Sequence, residues 1–406
     1  MTHDIPTPKQ RVAITAMGVV SPLGNGVSET TAALREGRDC VAAVDRFDVS
    51  RTRAKTAGQV CGFDANEPGG RKSRRLHPAG LMMIAAAKEA QTTDPQFQPE
   101  FAIIGTTSGG MSFGEQFFRS QIARQKPRER AAWLANYMPQ KAVLDAQAAC
   151  GFSAPSQIIA NACASGSNAL GHAFALIRAG RYRRILCGGY DAISELVFVG
   201  FDSLQASTAE KIRPFDKNRT GLVLGEGAAL FFLEDWASAI SRNAPILAEV
   251  TGYGISTDNH HLTQPHPSGI GPRQAMERAL ASAGLQPVAI DYINAHGTAT
   301  AFNDATEGFA ISQIFGAQTP VSSTKSMMGH SLGAAGAIEA AFSVIALREQ
   351  FLPPNIHYAE PDPGWDINIV ANHSRPANLR RVLSNSFGFG GTNASIILER
   401  AEDTAP

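Results

Sequence analysis

The sequence predicts an α/β protein with mostly parallel sheets covered by helices and built as two similar halves. Three observations predict it. Apolar runs of strand length alternate with helix-period runs along the chain. The order of those runs repeats once, although the residues barely do. Much of the glycine, 38 residues in all, falls where an apolar run ends and a helix begins, the edge at which α/β sheets carry ligands.

In the first half the apolar run Val12–Val20 reads as a strand, Ala79–Ala90 as a helix, and Phe101–Gly105 as a strand. A strand at Gln157–Ala160, a small-residue helix from Cys163 to Ala179, and strands at Arg184–Gly189 and Ala228–Leu233 complete it. The second half begins with a strand at Ile246–Tyr253, a helix at Pro272–Ala283 and a strand at Asp291–Asn294. There follow a helix near Thr306–Phe315, a strand at Pro320–Ser323, a helix to about Glu349, and strands at Arg381–Ser386 and Ala394–Leu398. The division falls at residues 1–241 and 242–406. Both central helices, ACASGSNALGHAFALI and GHSLGAAGAIEAAFSVIAL, lack a charged face, so both are expected to be buried. Cys163 and His330 each sit where the third strand of their half passes into a helix. A pseudo-twofold would therefore bring those two turns together.

At 406 residues the chain exceeds the usual single core, in keeping with two halves. Hydrophobic residues at 44% and charged residues at 18% suit an ordinary globular protein. Lys plus Arg and Asp plus Glu are both 36, which argues against a nucleic-acid binder. No apolar run reaches the roughly 18 residues of a membrane span, and MTHDIPTPKQ lacks a signal-peptide core. The five cysteines are scattered without CxxC or Cys/His ligand spacing, so neither a disulfide framework nor a metal site is expected. A cytoplasmic setting follows.

Five segments carry the candidate chemistry. In NACASGS, Asn161–Ser167, a thiol at a helix N-terminus meets the positive end of the dipole and unpaired N–H groups, which favour thiolate and can hold an oxyanion. A small buried hydrophobe is the competing reading of Cys163. In INAHGTATAFNDATE, His296 follows an apolar strand, and Thr298 and Thr300 offer hydroxyls to a polar ligand arm. In SSTKSMMGHSLGAAGAIEA, Lys325 and His330 open an apolar helix in which Glu339 is the available partner for a buried cation. The glycines of SNSFGFGGTN, at 388, 390 and 391, fit a strained turn, a phosphate cradle or a mobile gate around Phe389. Arg71, Lys72, Arg74 and Arg75 form a basic run that is either a solvated face or a dock for an acidic partner.

Taken together, ACASG, PFDKNRTGLVLGEGAA (Pro214–Ala229), NAHGTAT, STKSMMGHSLGAAGAIE and NSFGFGGTN, with the opening VAITAMGVVSPLGN, resemble the β-ketoacyl-acyl-carrier-protein synthases of the thiolase superfamily. The resemblance runs from about Arg11 to Leu398 and is closest to elongating type II fatty-acid and polyketide ketosynthases. It implies the five-layered αβαβα thiolase fold, made of two duplicated halves, and usually a dimer. It implies a 3-oxoacyl-acyl-carrier-protein synthase in which Cys163 takes an acyl chain and condenses it with malonyl-carrier protein, with loss of carbon dioxide.

By the same resemblance, His296 and His330 stabilise the enolate or thioester oxygen, Lys325 tunes the His330 region with Glu339 as partner, and the N–H groups of Cys163 and Phe389 form the oxyanion hole. Thr298 and Thr300 hold the phosphopantetheine arm, and Phe389 is a gate hinged by Gly388, Gly390 and Gly391. Ser108 and Phe201 line the acyl pocket, and the Arg71–Arg75 run docks the acidic carrier protein. No cofactor is expected, because the substrates ride on the carrier's own arm. The dimer partner is either an identical copy or a chain-length-factor-like subunit. Three departures bear on substrate: Ser108 replaces a larger apolar residue, Asn161 a commoner Thr, and His77 a more usual Asp. A subunit of chain-length-factor type usually lacks the nucleophile, and starter-type synthases use Cys-His-Asn. Cys163 with two histidines argues against both.

Overall fold

The computed structural model describes residues 10–61 and 76–401. The first half contributes strands β1 (Val12–Val20), β2 (Phe101–Gly105), β3 (Ser156–Ile159), β4 (Arg184–Asp191) and β5 (Gly227–Asp235). The second contributes β6 (Ala248–Thr257), β7 (Tyr292–Asn294), β8 (Pro320–Ser322), β9 (Arg381–Gly388) and β10 (Thr392–Glu399).

In the first half the strands lie in the order β3-β2-β4-β5-β1, and in the second β8-β7-β9-β10-β6. Within each half, these are the third, second, fourth, fifth and first strands. The senses match as well. The second strand pairs parallel with the third and fourth, whereas the fourth–fifth and fifth–first pairs are antiparallel in both halves. The two sheets join where β1 meets β6 through Val12–Val250, Ala13–Glu249 and Ile14–Ala248. The expected repeat is therefore present in topology. The expected mostly parallel sheets are corrected to mixed ones. The β9–β10 hairpin shows the reason, because adjacent strands joined by a tight turn need no crossover helix and must run antiparallel.

Helices α1 (Pro78–Thr93) and α2 (Pro139–Cys150) cover the outer face of the first sheet; α3 (Ser165–Arg178) belongs to the middle. Helices α4 (Ile270–Ala283) and α5 (Ala301–Phe315) cover the second sheet, and α6 (Ala335–Glu349) joins α3 between the two sheets. Every residue of α6 from Ala335 to Leu347 is buried. Its small residues permit this: a Cβ on Gly336 would lie 2.2 Å from Ser167 Oγ, and one on Gly166 would lie 2.7 Å from Ala337 N. The apolar side chains of α3 and α6 fuse with those of β1, β4 and β5 into the central core.

Boundaries moved where the apolar pattern was ambiguous. Helix α3 begins at Ser165 rather than Cys163, and α5 at Ala301 rather than Thr306, because Asp304 occupies a first turn that polarity alone had assigned to loop. Strand β6 continues to Thr257 by alternating buried and exposed residues beyond its apolar run. Among the described residues no helix is long and apolar enough to cross a membrane. Arg71, Lys72, Arg74 and Arg75 lie outside the described residues.

Candidate active site

Four of the candidate residues cluster at one end of the paired sheets, each on a turn leaving a strand. Cys163 follows β3, His296 follows β7, His330 follows β8, and Phe389 lies in the β9–β10 hairpin. The repeat thus places the third-strand turns of both halves together. One reactive atom from each of Cys163, His296 and His330 lies within 4.8 Å of the others. The imidazole rings stand nearly perpendicular, at 87°, with centroids 5.2 Å apart. Ala162 just before the nucleophile holds a left-handed φ of 55°, a backbone strain that turns the thiol into this cluster.

Both histidines are buried. Burial, and next the positive charge of Lys325, hold their pKa values well below the ordinary 6.5. They are therefore neutral N–H donors at physiological pH, and His296 Nδ1 and both ring nitrogens of His330 have no protein partner. His330 is fixed by its backbone, whose N–H donates to Val223 O at 2.7 Å and whose carbonyl accepts from Gly225 N at 2.8 Å. Lys325 and Glu339, each 1% exposed, form a buried ion pair behind the histidines. Burial pushes the Glu339 carboxyl up to about 7 against the pull of Lys325.

The thiol corrects one expectation. Burial pushes Cys163 up to about 11, against Lys325 and the backbone N–H groups of Phe389 and Cys163, which pull it down. The resting sulfur is thus a protonated thiol rather than a thiolate favoured by the helix end. Those two N–H groups lie against the sulfur. Soft S and N donors at this spacing also resemble a metal donor set, but a dication there would meet the buried Lys325 charge.

A cavity of about 290 Å³ leads to the cluster. Its walls include Cys163, His296, His330, Phe201, Thr298, Thr300 and the Gly388–Gly391 hairpin. The Thr298 and Thr300 hydroxyls lie 2.9 Å apart. Phe389 stacks on Phe201 with centroids 5.6 Å apart, and Gly390 and Gly391 take φ of 82° and 77°, which a side chain would resist. Ser108 is not among the walls of this cavity; its hydroxyl bonds Asp191 Oδ1 at 3.1 Å and Ala192 O at 3.2 Å. His77 serves local structure: it caps α1 through the Ala79 N–H and bonds Ser112 at 2.7 Å, whereas nothing in the structure explains Asn161.

Three buried carboxylates were not anticipated. Asp191 accepts from Thr106, Thr107, Ser108, Gly109 and Gly333, tying the β2 turn to the turn that follows His330. Glu307 accepts from the backbone N–H groups of His296 and Gly297, both at 2.8 Å, and so fixes the first histidine. Asp304 accepts from Thr298 and Ala299 in the next turn. For Asp304 and Glu307 the visible signal was NDATE, two carboxylates three residues apart opening a helix two residues after HGTAT.

Residues 9–239 match the beta-ketoacyl synthase N-terminal domain and residues 247–359 its C-terminal domain. A 3-oxoacyl-[acyl-carrier-protein] synthase 2 from Synechocystis sp. is 37% identical, over 97% of this chain and 98% of that protein. Among solved structures, the ishigamide ketosynthase/chain length factor superposes with a TM-score of 0.91 at 33% identity, covering 97% of this chain and 100% of that one. A type II polyketide ketosynthase in complex with its acyl-carrier protein, bound to the hexaketide, superposes with a TM-score of 0.88 at 26% identity, over 97% and 100%. With both domains matched in order and the two-half topology shared, the chain belongs to the beta-ketoacyl synthase family, an acyltransferase family of thiolase fold.

Proposed function

We propose that the chain is a 3-oxoacyl-acyl-carrier-protein synthase that elongates an acyl chain by decarboxylative Claisen condensation. The observation that carries this reading is the convergence of a buried thiol and two neutral imidazoles at the base of a threonine-walled cavity. In the first step, the Cys163 sulfur attacks the thioester carbonyl of an acyl-carrier protein. The oxyanion is held by the N–H groups of Cys163 and Phe389, and the carrier's thiol leaves with the proton that Cys163 gives up.

In the second step, malonyl-carrier protein loses carbon dioxide. The electron pair of the broken C–C bond forms an enolate whose oxygen accepts from His296 and His330. A cationic imidazole would surrender a proton to that enolate, whereas a neutral one only donates a hydrogen bond. The carbanion then attacks the acyl-Cys163 carbonyl, the C–S bond breaks, and the sulfur takes one proton from solvent water to regenerate the thiol. Lys325 and Glu339 hold the field around His330. No resident cofactor enters either step, because the phosphopantetheine arm belongs to the carrier, with Thr298 and Thr300 as its hydrogen-bonding partners. Phe389 gates the thiol by swinging off Phe201.

The partners belong to the same reading: an acidic acyl-carrier protein docked at Arg71–Arg75, and a second ketosynthase-fold subunit in a cytoplasmic setting. Exposed apolar side chains support the second subunit. Phe118 (63% exposed), Ile122 (70%) and Leu144 (52%) all belong to the half whose outermost strand, β3, is open. Light scattering on the purified chain tests it, because a lone monomer at micromolar concentration would contradict a homodimer. For the reaction, purified protein with acyl- and malonyl-carrier proteins should release carbon dioxide and yield carrier-bound 3-oxoacyl product. Cys163→Ala should yield none, and condensation by that variant at the wild-type rate would overturn the mechanism.

A further inference from the structure

We infer that Arg219 is a positioning residue for substrate entry: it fixes the turn that aims the Thr298 and Thr300 hydroxyls into the cavity. The inference rests on the reading of that cavity as the entry path for the carrier's arm. Residues 298–301 form an unusual turn. Ala299 holds a left-handed φ of 64°, a conformation that a residue with a side chain adopts only when its surroundings impose it.

Two charged groups impose it from opposite sides. From beneath, Asp304 accepts from Thr298 N at 3.0 Å and from Ala299 N at 3.1 Å, and also receives the Phe215 N–H at 2.7 Å. From the cavity side comes Arg219, whose side chain is only 8% exposed. Its Nε donates to Thr300 O at 3.3 Å and its Nη2 to Ala301 O at 3.2 Å. Its Nη1 donates to Asp216 O at 3.0 Å and to Asp362 Oδ2 at 2.6 Å. The guanidinium also lies 5.1 Å from the centre of the Trp365 ring.

The placement is electrostatically unfavourable unless it has a purpose. Thr300 is the N-cap of α5, and a cation at a helix N-terminus opposes the helix dipole. Asp304 and Asp362 offset that cost, leaving a fork whose N–H groups reach the carbonyls of two successive residues. A lysine cannot supply this, since its ammonium is a single point donor without planar geometry. With the carbonyls of Thr300 and Ala301 held by Arg219 and the N–H groups of Thr298 and Ala299 held by Asp304, the turn has little freedom. The two threonine hydroxyls are thereby kept 2.9 Å apart on the cavity wall.

The test measures two reactions of the same thiol. Acylation of Cys163 by an acyl-carrier protein requires the arm to enter, whereas alkylation by iodoacetamide does not. Arg219→Gln should raise the half-saturating concentration of acyl-carrier protein about tenfold, with the limiting rate within about twofold and iodoacetamide alkylation unchanged. Arg219→Lys should recover only part of that loss. Asp362→Asn, a gentler change at the rim, should move half-saturation in the same direction and covers the case in which Arg219→Gln fails to fold. Unchanged half-saturation in the folded variants overturns the inference, and so does an equal loss in both reactions. If the wild type alkylates but accepts no acyl group from the carrier, the functional reading itself has failed.

Discussion

At Cys163 two effects oppose each other. The turn into α3 offers N–H groups and a helix terminus, while burial removes the water a thiolate needs. Burial prevails, and the consequence is measurable. Iodoacetamide alkylation of Cys163 should quicken by about tenfold per pH unit between pH 7 and 9, because each step toward a pKa of about 11 enlarges the thiolate fraction. A rate that levels off near pH 7 would show that the helix end outweighs burial. The histidines titrate in the opposite sense. Their lowered pKa values keep them neutral across this range, so neither loses a proton during the measurement. His330→Ala should slow condensation by about 10²–10³-fold, the cost of losing one donor to a developing oxyanion. Acylation of Cys163, served by backbone N–H groups, should fall much less. Equal losses in the two half-reactions would contradict the division of roles. Cys163, His296, His330 and Lys325 were legible in the sequence because each polar side chain interrupts an apolar context on a Gly- or Ser-bearing turn. The hydrogen bond from the Ser108 hydroxyl to the buried Asp191 was not legible, because a sequence position does not give side-chain direction.

Among the elements, the two central helices were the easiest to read and bear the greatest constraint. Their lack of a charged face announced burial, and their small residues announced close approach. Gly336→Ala would set a methyl 2.2 Å from Ser167 Oγ and 2.7 Å from Ser386 Oγ, across the contact between α3 and β9. Such overpacking should cost about 1–3 kcal/mol in urea unfolding, and a variant of unchanged stability would show that the layers are looser than drawn. The helices Met111–Ile122 and Arg130–Tyr137 were not read at all. Only Ser120 is fully buried across both, so their apolar side chains, Phe118 and Ile122 among them, do not join the core of this chain. Helix α2 escaped for a related reason, since its buried Val143, Ala146, Gln147 and Cys150 are few and mixed in polarity.

For the whole molecule, duplication is what assembles the site. The matched 3-2-4-5-1 strand order sets the third-strand turns face to face, which is how residues 163 and 330 come together. That much followed from element order alone. The mixed sense of the sheets did not, because apolar runs look alike in parallel and antiparallel neighbours. Overall charge is balanced, 36 basic against 36 acidic residues, so carrier binding would depend on local charge rather than on a global field. Reversing Arg74 and Arg75 to Glu should raise the half-saturating carrier concentration more than it lowers the limiting rate, and more so at low salt. No change in either would return that run to an ordinary solvated face. Whether Cys163 accepts an acyl group from a carrier protein is read out by intact-protein mass spectrometry after incubation with a panel of acyl-carrier proteins. The wild type should gain the mass of one acyl group and release free carrier thiol, and Cys163→Ala should gain nothing. An unmodified wild type with every carrier, or an adduct that survives Cys163→Ala, would contradict acyl transfer to Cys163.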